Sequence, residues 1–181
     1  MMKRNLMVVG LALMLGACGF QLRGTGTSDF ALNELNVQAR NAFGQTLNDV
    51  RESLSNNGVQ LSAQAPYTLA LVREEENTRA ASYSNVGRGS EQQLNLALHY
   101  EIRNKANQVL IEDLVQTQRF YLQDQNNIIG SSEEASQLKG EMRRELIQQL
   151  LQQLRLLTPE RLAELEQMAA HKAHIEEGHA H

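Results

Sequence analysis

Polar and apolar residues alternate with period two over Glu34-Leu35-Asn36-Val37-Gln38, which predicts a short strand. The period then lengthens. Phe43, Leu47, Val50 and Leu54 recur at spacings of four, three and four and so share one face of a helix. Asn56-Asn57-Gly58 supplies its stop, with Gly58 suited to the left-handed position just past a helix end. Val59-Gln60-Leu61 either starts a strand or continues the turn. After Pro66, Tyr67, Leu69 and Leu71 alternate with Thr68, Ala70 and Val72; both sets are fairly apolar, the pattern of an interior strand. Glu74-Glu75-Glu76 marks an exit toward solvent. Residues 77–90, rich in Ser, Asn and Gly, read as a long hairpin loop or as two strand ends flanking a mobile tip.

The clearest strand runs from Gln93 to Arg103. Leu94, Leu96, Leu98, Tyr100 and Ile102 alternate there with Gln93, Asn95, Ala97, His99, Glu101 and Arg103. One face therefore belongs to a core and the other is open or covered by something polar. Asn104-Lys105-Ala106-Asn107 makes a hairpin turn, and Val109 to Tyr121 is the return strand. Ser131 and Glu134 stand three apart as a capping-box start. Behind them Ala135, Leu138, Met142, Leu146, Leu150, Leu154 and Leu157 form a long apolar helical stripe. Thr158-Pro159 ends that helix and suits the first turn of a third, exposed helix with Leu162, Leu165 and Met168.

The order of elements predicts an α+β fold, a two-layer sandwich of a four-stranded mixed sheet with two main helices packed on its one apolar face. The first strand, helix and next strand form a unit with parallel strands; the later hairpins are antiparallel. Residues 30–157 make this domain, and 158–181 a C-terminal helix followed by a disordered, His-rich tail. His171, His174, His179 and His181 offer nitrogen ligands to a soft divalent metal, but the low-complexity, charged setting favours an unstructured tail with no metal.

Composition changes the picture chiefly at the N-terminus. Lys3 and Arg4 precede an apolar run from Leu6 to Leu15, the anatomy of a secretory signal peptide. That run is about ten residues, against roughly 20 for a bilayer span. Cys18, the single cysteine, follows Leu15-Gly16-Ala17, an order that resembles the bacterial lipobox. The resemblance implies cleavage before Cys18 and, on it, a covalent diacylglycerol with an N-acyl lipid. It also implies an outer-membrane address, because Gly19 stands where inner-membrane lipoproteins typically carry Asp. Residues 1–17 are then the signal peptide and 18–29 a lipidated tether. Removing 17 of the 181 residues leaves 164, a size that suits one domain. Losing Lys3 and Arg4 from 17 basic residues leaves 15 against 21 acidic, net −6, a poor surface for nucleic acid.

Enzyme signatures are missing. The cysteine is committed to lipid, Gly87-Arg88-Gly89 lacks the spacing and Lys-Ser/Thr ending of a phosphate-cradling loop, and no HExxH, GxSxG or paired-cysteine motif occurs. No catalytic set is assigned. The one histidine of the domain, His99, falls on the polar strand face, which invites a partner.

Cys18-Gly19-Phe20-Gln21-Leu22-Arg23 resembles the start of mature lipoproteins of the lipopolysaccharide-assembly LptE family. Leu54 to Leu61, ending Asn57-Gly58-Val59-Gln60-Leu61, is similar to that family's helix-ending segment. The resemblance implies a lipoprotein that plugs and helps assemble the LptD β-barrel and binds lipopolysaccharide during its delivery to the outer leaflet. Its lipid would sit in the inner leaflet of the outer membrane and its domain in the barrel lumen. It places lipopolysaccharide-binding basic residues near one end of the sheet, where the candidates are Arg79, Arg88, Lys139 and Arg143. Partner-interface candidates are Phe20, Leu22, Arg23, Asn95 and His99. The competing reading is a stand-alone, periplasm-facing lipoprotein, acting as a transport accessory or as a lipid-anchored enzyme, on the same small layout.

Overall fold

The structure, a computed structural model, describes residues 30–40, 44–83, 90–124 and 127–179. Cys18, Phe20, Leu22, Arg23, Phe43, Arg88 and His181, with the signal-peptide segment, lie outside the described residues. Five strands form one sheet: β1 Glu34–Ala39, β2 Gln60–Leu61, β3 Tyr67–Tyr83, β4 Ser90–Asn104 and β5 Val109–Gln123, in the order β2-β1-β3-β4-β5. β1 pairs in parallel with both β2 and β3, whereas β3, β4 and β5 are antiparallel neighbours. Helices α1 Gln45–Asn56, α2 Ile128–Arg155 and α3 Pro159–His179 complete the described chain.

The period-two and period-3.6 patterns meet in one core. Leu35 and Val37 of β1, Leu69 and Leu71 of β3, and Leu98, Tyr100 and Ile102 of β4 turn to one sheet face. Against them pack Leu47, Val50 and Leu54 of α1 and Leu146, Leu150 and Leu154 of α2. Each such side chain contributes about 1.5–3 kcal/mol by leaving water. Gly58 has φ 81°. Its N–H bonds Ser55 O at 3.0 Å and the Val59 N–H bonds Leu54 O at 3.1 Å, the paired closure that satisfies the last carbonyls of a helix. Asn107, at φ 60°, turns the β4–β5 hairpin, and the Asn104 side chain accepts from Gln108 N at 2.9 Å.

Four expectations are corrected. The sheet has five strands, not four, because Gln60 N donates to Asn33 O (2.8 Å) and Ser62 N to Leu35 O (3.1 Å), pinning a two-residue edge. β3 does not leave at Glu74: it runs on to Tyr83, paired with β4 throughout. Helix α2 begins at Ile128, three residues before Ser131, because the Asn127 side chain caps it by accepting from Gly130 N at 3.1 Å. Ser131 instead bridges Asn127 O and Asp124 N, each at 3.0 Å. Finally, α3 extends to His179, through residues expected to be unstructured, and it is docked in part, since Leu162 is buried in the core. The phenol of Tyr67 titrates above its ordinary value, first because it is buried and then because Glu166 of α3 accepts its hydrogen bond.

The sheet twice breaks its own alternation within β3. A register shift between Leu71 and Arg73 makes Val72 an extra residue, a bulge that reverses which side chains face inward. Past it, Glu74 and Glu76 stand on the helix-covered face and Arg73, Glu75, Asn77 and Arg79 on the open face.

Candidate interaction surfaces

The open face is a polar ladder of three separately bonded groups. Across β3 and β4, Arg79 Nε donates to Gln93 Oε1 at 2.6 Å and Gln93 Nε2 to Asn95 Oδ1 at 3.0 Å. Arg73 meets Glu75 at 2.9 Å and His99 Nε2 at 3.3 Å, with Glu75 also 3.5 Å from that nitrogen. Arg73 can donate there only if Nε2 is unprotonated. Arg103 Nε bonds Glu101 at 2.6 Å. The predicted interface residues Asn95 and His99 are thus brought together on one face and already hydrogen-bonded within it. Exposed pairs of this kind stabilise little, roughly 0–1 kcal/mol each, but they leave the face with few unsatisfied groups. Beside them β5 presents Leu114 and Phe120, exposed and in register with His99 and Gln93.

The basic candidates do not form one group. Arg79 lies on the open face, bonded to Gln93, whereas Lys139 and Arg143 sit one turn apart on α2 in the helix layer. Lys139 is ion-paired with Glu76. Glu74, beside it, accepts from Thr46 Oγ1 of α1 at 2.9 Å. Both contacts exist because the bulge at Val72 turns the acidic run toward the helices. Arg143 has no hydrogen bond or ion pair among the described residues and lines a cleft of about 450 Å³ with Arg40, Gly44, Thr46, Val72 and Arg73. This opening forms where β1 stops at Ala39 while β3 continues. Arg40 therefore joins Arg143 at a common mouth that Glu74 also lines, while the guanidinium of Arg73 is bonded to Glu75 and His99 on the open face; the grouping is invisible to spacing because it depends on an unannounced bulge and on the ragged end of β1.

Among the described residues no group of three His, Cys, Asp or Glu side chains is placed to hold a metal, and no helix is long and apolar enough to cross a membrane. The geometry defines a small α+β sandwich with a polar open sheet face and a cation-lined cleft on its helix side. The family model for lipopolysaccharide-assembly LptE matches residues 32–154, the span from the first buried leucine to the end of the α2 stripe. This chain belongs to the LptE family, whose members are lipopolysaccharide-assembly lipoproteins and not enzymes. An LPS-assembly lipoprotein LptE from Yersinia pestis (strain Pestoides F) is 30% identical over 159 residues, covering 82% of this chain and 73% of that one. The Photorhabdus laumondii LPS-assembly lipoprotein LptE is 32% identical over 101 residues, 53% of this chain and 55% of its own length. In fold, the chain is similar to the crystal structure of the rare lipoprotein B from Shewanella oneidensis, with TM-score 0.60 and 20% identity over 80% of this chain and 99% of that one. A minor lipoprotein from Acinetobacter baumannii also has TM-score 0.60, at 19% identity over 68% of this chain and 91% of that one.

Proposed function

We propose that this chain is an outer-membrane lipoprotein, held in the inner leaflet through diacylglycerol and N-acyl lipid on Cys18, that plugs and helps assemble the LptD β-barrel and binds lipopolysaccharide on its way to the outer leaflet. The observation that carries this reading is the family match across the whole sheet-and-helix core, residues 32–154. Two physical features support it. A sheet face whose polar groups bond one another, as Arg79, Gln93 and Asn95 do, can lie against a polar barrel wall without stranding unsatisfied donors. Arg143, uncommitted at the mouth of its cleft beside Arg40, offers a planar, bidentate donor to phosphate. Lys139 adds charge one turn away, whereas Arg79 serves the ladder.

The test uses photoreactive residues placed at Asn95 and at His99 in the native lipoprotein. Crosslinks from both positions to a large outer-membrane barrel are the expected result, together with co-purification of that barrel after gentle detergent extraction. Absence of any barrel from both experiments rejects the plug. Lipopolysaccharide contact is read separately: Arg143→Glu should weaken binding of purified lipopolysaccharide by the full chain, and unchanged binding removes Arg143.

A further inference from the structure

Strand β5 is the outer edge of the sheet along its whole length, since β4 pairs only its other side and the order ends there. An exposed edge of 15 residues is a ready template for another strand. Two contacts show which backbone groups point outward. Leu114 N donates to its neighbour's side chain, Asp113 Oδ1, at 2.8 Å, and Gln118 O accepts from Arg119 Nη1 at 3.0 Å. Backbone groups of a strand alternate sides, so the even-numbered residues from Leu114 to Leu122 carry the free N–H and C=O groups. An acidic and a basic side chain thus screen two outward positions, and these lie symmetrically two residues either side of Gln116.

That symmetry makes the edge complementary to itself. When two copies of β5 run antiparallel about Gln116, Leu114 of one faces Gln118 of the other as a hydrogen-bonded pair, and Gln116 faces Gln116. The two groups screened within one chain become each other's partners. In the same register Asp113 stands opposite Arg119, twice, as the close, non-hydrogen-bonded pair in which side chains approach most nearly; within one chain Arg119 is held by Glu145 of α2 at 2.5 Å, so Asp113 would share that guanidinium. On the open face, Phe120 falls opposite Glu112; Phe120 and Leu122 are exposed in the single chain. We propose that the free β5 edge pairs antiparallel, about Gln116, with the β5 edge of a second copy of this chain, joining two five-stranded sheets into one. This state belongs to the lipoprotein before it meets any other partner, and it stands independently of the function proposed above.

The experiment uses the full chain with Cys18→Ser, which leaves no thiol, and single cysteines introduced at Gln116 or Gln118. Facing residues of a hydrogen-bonded pair lie about 5.5 Å apart at Cα, within disulfide reach. Two copies of residue 118 would stand roughly four strand residues, about 13 Å, apart, out of reach. The expected result is a disulfide dimer from Gln116→Cys under mild oxidation and none from Gln118→Cys. The parent chain should also show concentration-dependent dimerisation in sedimentation velocity, reduced at least tenfold in affinity by Gln116→Pro, which removes a donor and obstructs the edge. Equal crosslinking at both positions, or a parent that stays monomeric up to about 1 mM, the weak end of specific association, overturns the pairing; either outcome leaves Asp113 and Arg119 as guards against association.

Discussion

Arg79 can be separated from a ligand contact by stability alone. Gln93 is only 4% exposed, its amide nitrogen is committed to Asn95, and its Oε1 takes the Arg79 Nε–H at 2.6 Å. Arg79→Met keeps the aliphatic stem and removes the donor, leaving a buried carbonyl oxygen unpaired at a cost of about 1–3 kcal/mol. Arg79 itself is exposed, so water can partly replace it, and the lower half of that range is expected. At roughly 4 °C per kcal/mol for a domain of this size, Tm should fall by about 4–8 °C. Thermal or urea unfolding of the full chain measures it. The decisive comparison is Gln93→Leu, which removes the buried acceptor so that Arg79→Met on that background should cost close to nothing. A coupling of about 1 kcal/mol is expected from the double-mutant cycle. If Arg79→Met costs the same with and without Gln93, the hydrogen bond is not what Arg79 provides and its role as a ligand contact returns. Arg143→Met, with no partner among the described residues to lose, should stay within about 0.5 kcal/mol of the parent.

Other consequences are simpler to read. Leu150→Ala empties a fully buried position between α2 and the sheet and should lower unfolding free energy by about 2–5 kcal/mol in urea titration. Gly58→Ala forces a Cβ into a backbone at φ 81°, costing roughly 1–2 kcal/mol, while Ser55→Ala on the exposed side of the same turn should be near neutral by the same titration. The Tyr100 phenol is pushed up to about 12, by burial first and by the Asp113 charge second. Because the folded-state value lies above the unfolded one, the neutral phenol stabilises the fold fully below pH 10, and that contribution is lost as pH rises toward 12. The loss is on the order of 2–3 kcal/mol, so Tyr100→Phe should flatten the alkaline fall in a pH series of unfolding free energies.

Where one periodicity runs uninterrupted, the chain's own pattern was enough to place it. Leu94 to Ile102 alternate in the sequence, and Leu94, Leu98, Tyr100 and Ile102 of that set are buried, and the stripe from Met142 to Leu154 is the inner face of α2, because burial on one side of a regular element imposes its period on composition. β2 escaped that logic. Two residues, both exposed, cannot show a period, and only backbone bonds to Asn33 and Leu35 make them a strand. The start of α2 was missed for a different reason: Ile128 and Ile129 are 66% and 84% exposed, so the first turn carries no inward stripe, and the Asn127 cap competes in the sequence with a serine that resembles one. The membrane-proximal half of the site rests on Cys18, Phe20, Leu22 and Arg23, which lie outside the described residues, and its reading remains that of the lipobox and the family.

The acidic run Glu74-Glu75-Glu76 shows why the basic candidates could not be grouped correctly from spacing. By strict alternation from Leu69 and Leu71, the inward set would continue through Arg73 and Glu75, which is untenable beneath two helices, so an exit to solvent was the natural expectation. One extra residue at Val72 resolves the conflict differently. It turns Arg73 and Glu75 outward to His99 and brings Glu74 and Glu76, both still exposed, to the helix side of the sheet, where Thr46 and Lys139 receive them. No glycine or proline marks the position; Val72, 37% exposed, looks like any strand valine. The bulge consumes Lys139 in an internal ion pair, sets Arg79 on the opposite face, and leaves Arg143 sharing an opening with Arg40. A single inserted residue thereby decides which cations of an acidic protein stabilise its fold and which remain available to an anionic ligand.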